Sequence, residues 1–192
     1  LRGDTRQEFE IPITLGPLKV APFAVVRGTG WDDSYDDGGL CRFYGAYGVR
    51  GSMYQWKVYD DVESRMLDLH RLRHIMKEDF TVWGAHSSRG PDELTAYDRD
   101  VELIDGADGF TFGWQHILQT KRGGPGQWRT VDWLTVDLEA GFFNDATDGP
   151  FRNQTRGQTF GFRPETSIAS NYLSMKSIWR ISDTTALLYD TI

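Results

Sequence analysis

The stretch Trp133-Leu134-Thr135-Val136-Asp137-Leu138-Glu139-Ala140-Gly141-Phe142-Phe143 decides the fold. Leu134, Val136, Leu138, Ala140 and Phe142 fall on one face of an extended chain, and Thr135, Asp137, Glu139 and Gly141 on the other. Strict alternation is the signature of a strand, because successive side chains leave a pleated backbone on opposite sides. The run is longer than the usual strand of about five or six residues. About eleven residues is the length that crosses a bilayer when tilted.

The same pattern recurs outward from this run. Phe43, Tyr47, Val49 and Met53 alternate with Arg42, Tyr44, Ala46, Arg50 and Ser52 between Cys41 and Trp56. Phe110, Phe112, Trp114 and Leu118 oppose Thr111, Gln115, Gln119 and Lys121, with His116 as an exception. Ala169, Leu173, Met175, Trp179 and Ile181 oppose Ser170, Tyr172, Ser174, Lys176 and Arg180. Met76, Phe80 and Val82 oppose Lys77, Asp79 and Thr81, although Glu78 and Trp83 blur that strand. Near the start, Phe9, Ile11, Ile13 and Leu15 run into Gly16-Pro17, which suits a two-residue turn with positive φ at the glycine. That turn pairs Leu15 with Leu18, Ile13 with Val20, Ile11 with Pro22 and Phe9 with Ala24, so every apolar residue meets its own face. A slip of one residue would destroy the match.

Connection lengths are a second signal. The Gly16-Pro17 turn, the Gly123-Gly124-Pro125-Gly126 turn and Ser182-Asp183-Thr184 are short. Asp32 to Gly39, Ser87 to Gly109 and Asn144 to about Glu165 are long. Short turns alternating with long loops is how an outer-membrane barrel is built. The Val58 to His70 connection is longer than that scheme wants. The expectation is an all-β chain: an antiparallel transmembrane β-barrel segment of about eight strands, with residues 1–192 one part of a larger barrel domain.

Composition agrees. The 192 residues carry a net charge of −7, which argues against a nucleic-acid partner, since phosphate binding needs a basic surface. Aromatic residues make up 14%. No apolar run is long enough for a transmembrane helix. The mean hydropathy of −0.49 still suits a barrel, whose strands show only every second residue to lipid. The single cysteine, Cys41, leaves no disulfide within the chain. With no starting Met and a last strand that ends in mid-pattern, the chain reads as a piece of something longer. A soluble, glycan-binding β-sandwich also alternates. Long strands, alternating loop lengths and charges of both signs on the polar face favour the barrel.

No constellation for chemistry stands out, and neither a catalytic, cofactor nor metal site is expected. His70 and His74 would share a strand face yet lie about 13 Å apart, too far to hold one metal. Asp137 and Glu139 read as charges facing a wet lumen rather than an acid–base pair. Arg2-Gly3-Asp4 and Asn153-Gln154-Thr155 spell binding and glycosylation tripeptides, but such triplets arise often by chance. Pro12 and Pro22 fall in paired strands and lack the N–H that a ladder uses. They read either as bulges that bend the wall or as a weakened seam for lateral exit of a lipid.

Several segments, in order, resemble the C-terminal barrel domain of the LPS-assembly protein family, also called organic-solvent-tolerance proteins (LptD). Thr5-Arg6-Gln7-Glu8-Phe9-Glu10-Ile11-Pro12 looks like that family's Arg-rich lead into a strand with an internal proline. Leu69-His70-Arg71-Leu72-Arg73-His74-Ile75 is similar to its Leu-Arg-His-Ile strand start, although Lys77-Glu78-Asp79 stands where the family often has a proline. Tyr97-Asp98-Arg99-Asp100-Val101-Glu102 and Leu118-Gln119-Thr120-Lys121-Arg122-Gly123-Gly124 follow in the family's order. The resemblance implies a non-enzymatic outer-membrane protein, plugged by a lipoprotein partner and fed by periplasmic lipopolysaccharide-bridge proteins. Its cargo would be lipopolysaccharide, moved into the outer leaflet among outer-membrane lipids. On the residues alone, another porin-like barrel remains an alternative.

Overall fold

The computed structural model describes residues 1–32, 38–94, 98–102, 104–124, 126–144 and 171–191. Its strands are β1 (Arg2–Glu10), β2 (Ile13–Leu15), β3 (Leu18–Trp31), β4 (Leu40–Ser64), β5 (Leu69–Ser87), β6 (Asp108–Arg122), β7 (Arg129–Phe143), β8 (Tyr172–Arg180) and β9 (Ala186–Thr191). They form a single antiparallel sheet of nine strands in the order β1-β3-β4-β5-β6-β7-β8-β9, with β2 also on β3. From β3 onward each strand lies beside its sequence neighbour, joined to it as a hairpin, while β1 and β2 both pair with β3. Among the described residues the sheet is open, with β1 and β2 in one edge row and β9 at the other edge.

The first hairpin has the register that the apolar pattern demands: Leu15 opposite Leu18, Ile13 opposite Val20 and Phe9 opposite Ala24. Gly16 turns with φ +62°, a conformation open to glycine at no steric cost. Pro12 falls in the break between β1 and β2, on the outermost row. The Ile11 N–H donates to the Pro22 carbonyl at 3.0 Å, but Pro22 has no N–H to return. The missing bond therefore lies between the edge row and β3, while β3 pairs with β4 along its whole length.

One expectation needs correction. Residues 58–70 are not a long connection, because β4 runs on to Ser64 and β5 begins at Leu69. The register shifts between Tyr59 and Glu63, so a bulge absorbs part of Asp60-Asp61-Val62 before Glu63 pairs with His70. The bulge interrupts alternation, and the interruption mimics a loop in the sequence. With it removed, short connections (residues 16–17, 65–68, 123–128 and 181–185) all lie at one end of the sheet. The strand ends that flank the longer connections, residues 32–39, 88–107 and 144–171, lie at the other.

The two faces are unequally covered. Phe43 and Tyr47 are 68% and 71% exposed, while Arg42 and Arg50, on the opposite face of the same strand, are 1% and 3% exposed. β3 repeats this, with Phe23, Val25, Arg27 and Thr29 buried and Ala24 and Val26 exposed. Along the middle of β7 both faces are half-buried. A line across the sheet through paired residues runs Leu18, Met53, Glu78, Trp114, Leu138, Met175, Thr191. It starts at the first residue of β3 and finishes at the last of β9. Stagger of this kind accompanies tilted, coiled strands.

Close fits between glycine and aromatic residues pin the register. A Cβ at Gly109 would collide with the buried Trp83 indole on the paired strand, and a Cβ at Gly141 with the Tyr172 ring. Gly109→Ala is expected to cost about 1–3 kcal/mol through overpacking. Gly45→Ala, where a Cβ meets nothing within 4 Å, should be close to neutral. Equal shifts in the two denaturant midpoints would show that the indole does not occupy that place.

Candidate functional site

The covered face carries the charges, and they are organised. Asp4 accepts from Arg27 Nε and Nη2, each at 2.9 Å to one of its oxygens, and from the Thr29 hydroxyl at 2.6 Å. Arg50 bonds Glu8 at 2.9 Å and Glu10 at 3.4 Å, and its guanidinium lies over the Phe23 ring. These contacts follow from register, since Asp4 is paired with Thr29 and the residues two along share that face. Further across the sheet, on the same face, Gln115 donates to Asp137 and Tyr172 to Glu139. Both carboxylates face the covered side, where neighbours engage them, as structural charges would be.

Part of the β5–β6 connection folds onto this face. It holds a 3-10 turn, Pro91–Glu93, and a short helical turn, Arg99–Glu102. At its outer end Arg89 bonds Glu93 at 2.7 Å. That bond, with the Gly90 N–H, keeps the Glu93 carboxyl below its ordinary range. Further in, Ile104 is fully buried among Phe23, Val25, Tyr44, Ala46, Trp83 and Phe143, which form the apolar core. The buried Arg42 guanidinium donates to the carbonyls of Val101, Glu102 (3.5 Å) and Ile104 (3.4 Å). The Glu102 carboxylate, 1% exposed, accepts from Arg2 at 2.8 Å, the Trp31 indole at 3.3 Å and the Asp98 N–H at 2.6 Å. Buried polar groups need such partners, and here the partners tie a loop to the sheet wall.

Sequence reasoning named neither Arg42 nor Glu102 nor Ile104 as special. Arg42 was legible only as one more polar residue on an alternating strand, and nothing in the loop marks Ile104 as buried.

His70 and His74 lie outside this cluster and do not meet each other. His70 bonds Glu63 at 3.0 Å and stacks on Trp128. His74 instead meets His116, Nε2 to Nδ1 at 2.9 Å, on the exposed apolar face. Among the described residues no three His, Cys, Asp or Glu side chains converge as metal ligands would. Arg2 is bonded to Glu102 of the β5–β6 connection and Asp4 to Arg27 of the neighbouring strand, so Arg2-Gly3-Asp4 lies in a strand and is not displayed at a loop tip. Cys41 is exposed and its thiol is free. Asn153-Gln154-Thr155, Ala169, Ser170, Tyr97 and Pro125 fall outside the described residues. No protein-family model, no curated protein and no solved structure matches this chain.

Proposed function

We propose that this chain is part of the wall of an outer-membrane β-barrel whose task is lipopolysaccharide transport and assembly at the cell surface. The observation that carries the membrane reading is an apolar face left open. Phe9, Val26, Phe43, Tyr47, Leu173 and Leu187 are exposed, while the other face buries Arg27, Arg42 and Arg50 beside the Phe23, Val25 and Trp83 core. A water-soluble sheet turns its apolar face inward; a barrel in lipid does the reverse. Stagger and the segregation of short from long connections support the same reading. A sandwich would need a second sheet over the apolar face, and none stands there among the described residues.

The cargo rests on the order of the family-like segments at residues 5–12, 69–75, 97–102 and 118–124. On that reading the plug lipoprotein occupies the polar side and the periplasmic bridge proteins approach the short-turn end. The protein is then a conduit and not an enzyme, with outer-membrane lipids against Phe43, Tyr47 and Leu173.

The isolated chain is expected to enter detergent micelles or lipid vesicles, and its Trp114 and Trp179 fluorescence to be quenched by brominated acyl chains. A compact, detergent-free monomer that unfolds cooperatively would instead support the sandwich. For the cargo, depleting the full-length protein should stop newly made lipopolysaccharide from reaching the cell surface. Undiminished surface lipopolysaccharide, with outer-membrane permeability to small solutes lost, would favour a porin-like barrel.

A further inference from the structure

At the short-turn end of the covered face, where β4, β5 and β6 meet, lies a half-open cavity of about 210 Å³. Its wall includes Arg71, Arg73 and Lys121, with Asp60, Gln119 and Thr130 between them. In a chain of net charge −7, this cleft gathers three cations against one carboxylate. Their existing contacts leave the charge largely uncompensated. Arg71 approaches Asp60 only to 3.8 Å, and both side chains are mostly exposed. Arg73 donates to the neutral Gln119 carbonyl at 2.8 Å, and the Lys121 ammonium to the Thr130 hydroxyl at 2.7 Å. The Gln119 amide passes on to Asp132 at 2.6 Å, which turns its carbonyl toward Arg73.

A second observation concerns the backbone. Arg71 has φ +60°, the left-handed region that a side chain with a Cβ rarely adopts. The buried Thr120 hydroxyl holds this conformation by donating to the Arg71 carbonyl at 3.1 Å while accepting from the His70 N–H at 2.9 Å. A glycine would serve the backbone better, yet an arginine stands there. Arg71 stands opposite the bulge in β4, so its conformation belongs to that bulge, and bulges re-aim side chains where a site needs them.

We infer that this cavity binds a phosphate group, held by the Arg71 and Arg73 guanidiniums and the Lys121 ammonium. Guanidinium forks match two phosphate oxygens, and a lysine supplies a point charge to a third. The phosphate arrives either as a free oxyanion or on a lipid headgroup. The cavity depends on the sheet and not on the bilayer, so it stands or falls separately from the barrel reading.

The test is calorimetric titration of the whole chain, folded in a non-ionic detergent, with inorganic phosphate. Saturable binding is expected. Arg71→Gly should weaken it roughly tenfold, the loss of one charge-assisted contact. Because glycine accepts φ +60°, that variant should keep or raise the unfolding midpoint, which separates lost binding from lost folding. Arg73→Gln together with Lys121→Gln should abolish measurable binding. Displacement of phosphate by dihexanoyl-phosphatidylglycerol identifies the lipid headgroup as the source, and its failure to displace a bound phosphate identifies the free oxyanion. No saturable binding of either probe, or affinity unchanged in both variants, overturns the site.

Discussion

Leu138→Arg is expected to destabilise the chain folded in lipid by about 2–4 kcal/mol, the cost of a cation near the bilayer midplane. Leu138 stands between Trp114 and Met175 in one row of the sheet, on the apolar face. One residue on, Glu139 lies on the covered face in a row with Gly113 and Ser174. Glu139→Arg removes the acceptor for the Tyr172 hydroxyl, a loss of about 1 kcal/mol. It also places a cation near Asp79, whose carboxylate leans over Gly113 toward β7, so part of that loss is offset. A folding titration in vesicles should rank the two variants clearly, with the leucine site the more costly. Equal costs would mean that neither face meets lipid. A smaller cost at Leu138 than at Glu139 would mean that the faces are assigned the wrong way round.

Arg42→Met is the second large effect expected, and it is local. Methionine keeps most of the apolar stem but loses the guanidinium that three loop carbonyls share. Each hydrogen bond to a charged group contributes about 1.5–3 kcal/mol, so the 98–107 segment should detach from the wall while the strands persist. Hydrogen exchange reads this directly. Protection of the Val101 and Glu102 amides, which bond the Asp98 carbonyl at 3.1 and 2.8 Å, should fall sharply. Amides paired between β3 and β4 should keep theirs. Unchanged protection at Val101 and Glu102 would show that Ile104 and the Glu102 carboxylate suffice to hold the segment. If the barrel reading holds, the same variant should raise conductance in a planar bilayer, because the segment occupies the polar side of the wall.

How much of this was legible in the sequence follows from how far each feature reaches along the chain. The all-β class, the faces of β4, β6 and β7, and the register of the first hairpin could be read from residues alone. Alternation is a property of the pleated backbone, and a two-residue turn sets the pairing of its own flanks. The one misread connection, residues 58–70, was hidden by a bulge that breaks alternation without ending the strand. Tertiary structure alone decided the rest. The approach of His74 to His116, the cluster of Arg71 and Arg73 with Lys121, and the descent of Ile104 onto Val25 and Trp83 all join residues far apart in sequence. Those meetings depend on which rows of β5 and β6 lie opposite one another and on where a long loop comes to rest. Neither is encoded in the period of any one strand; both are set by the summed fit of many cross-strand pairs, such as Trp83 against Gly109.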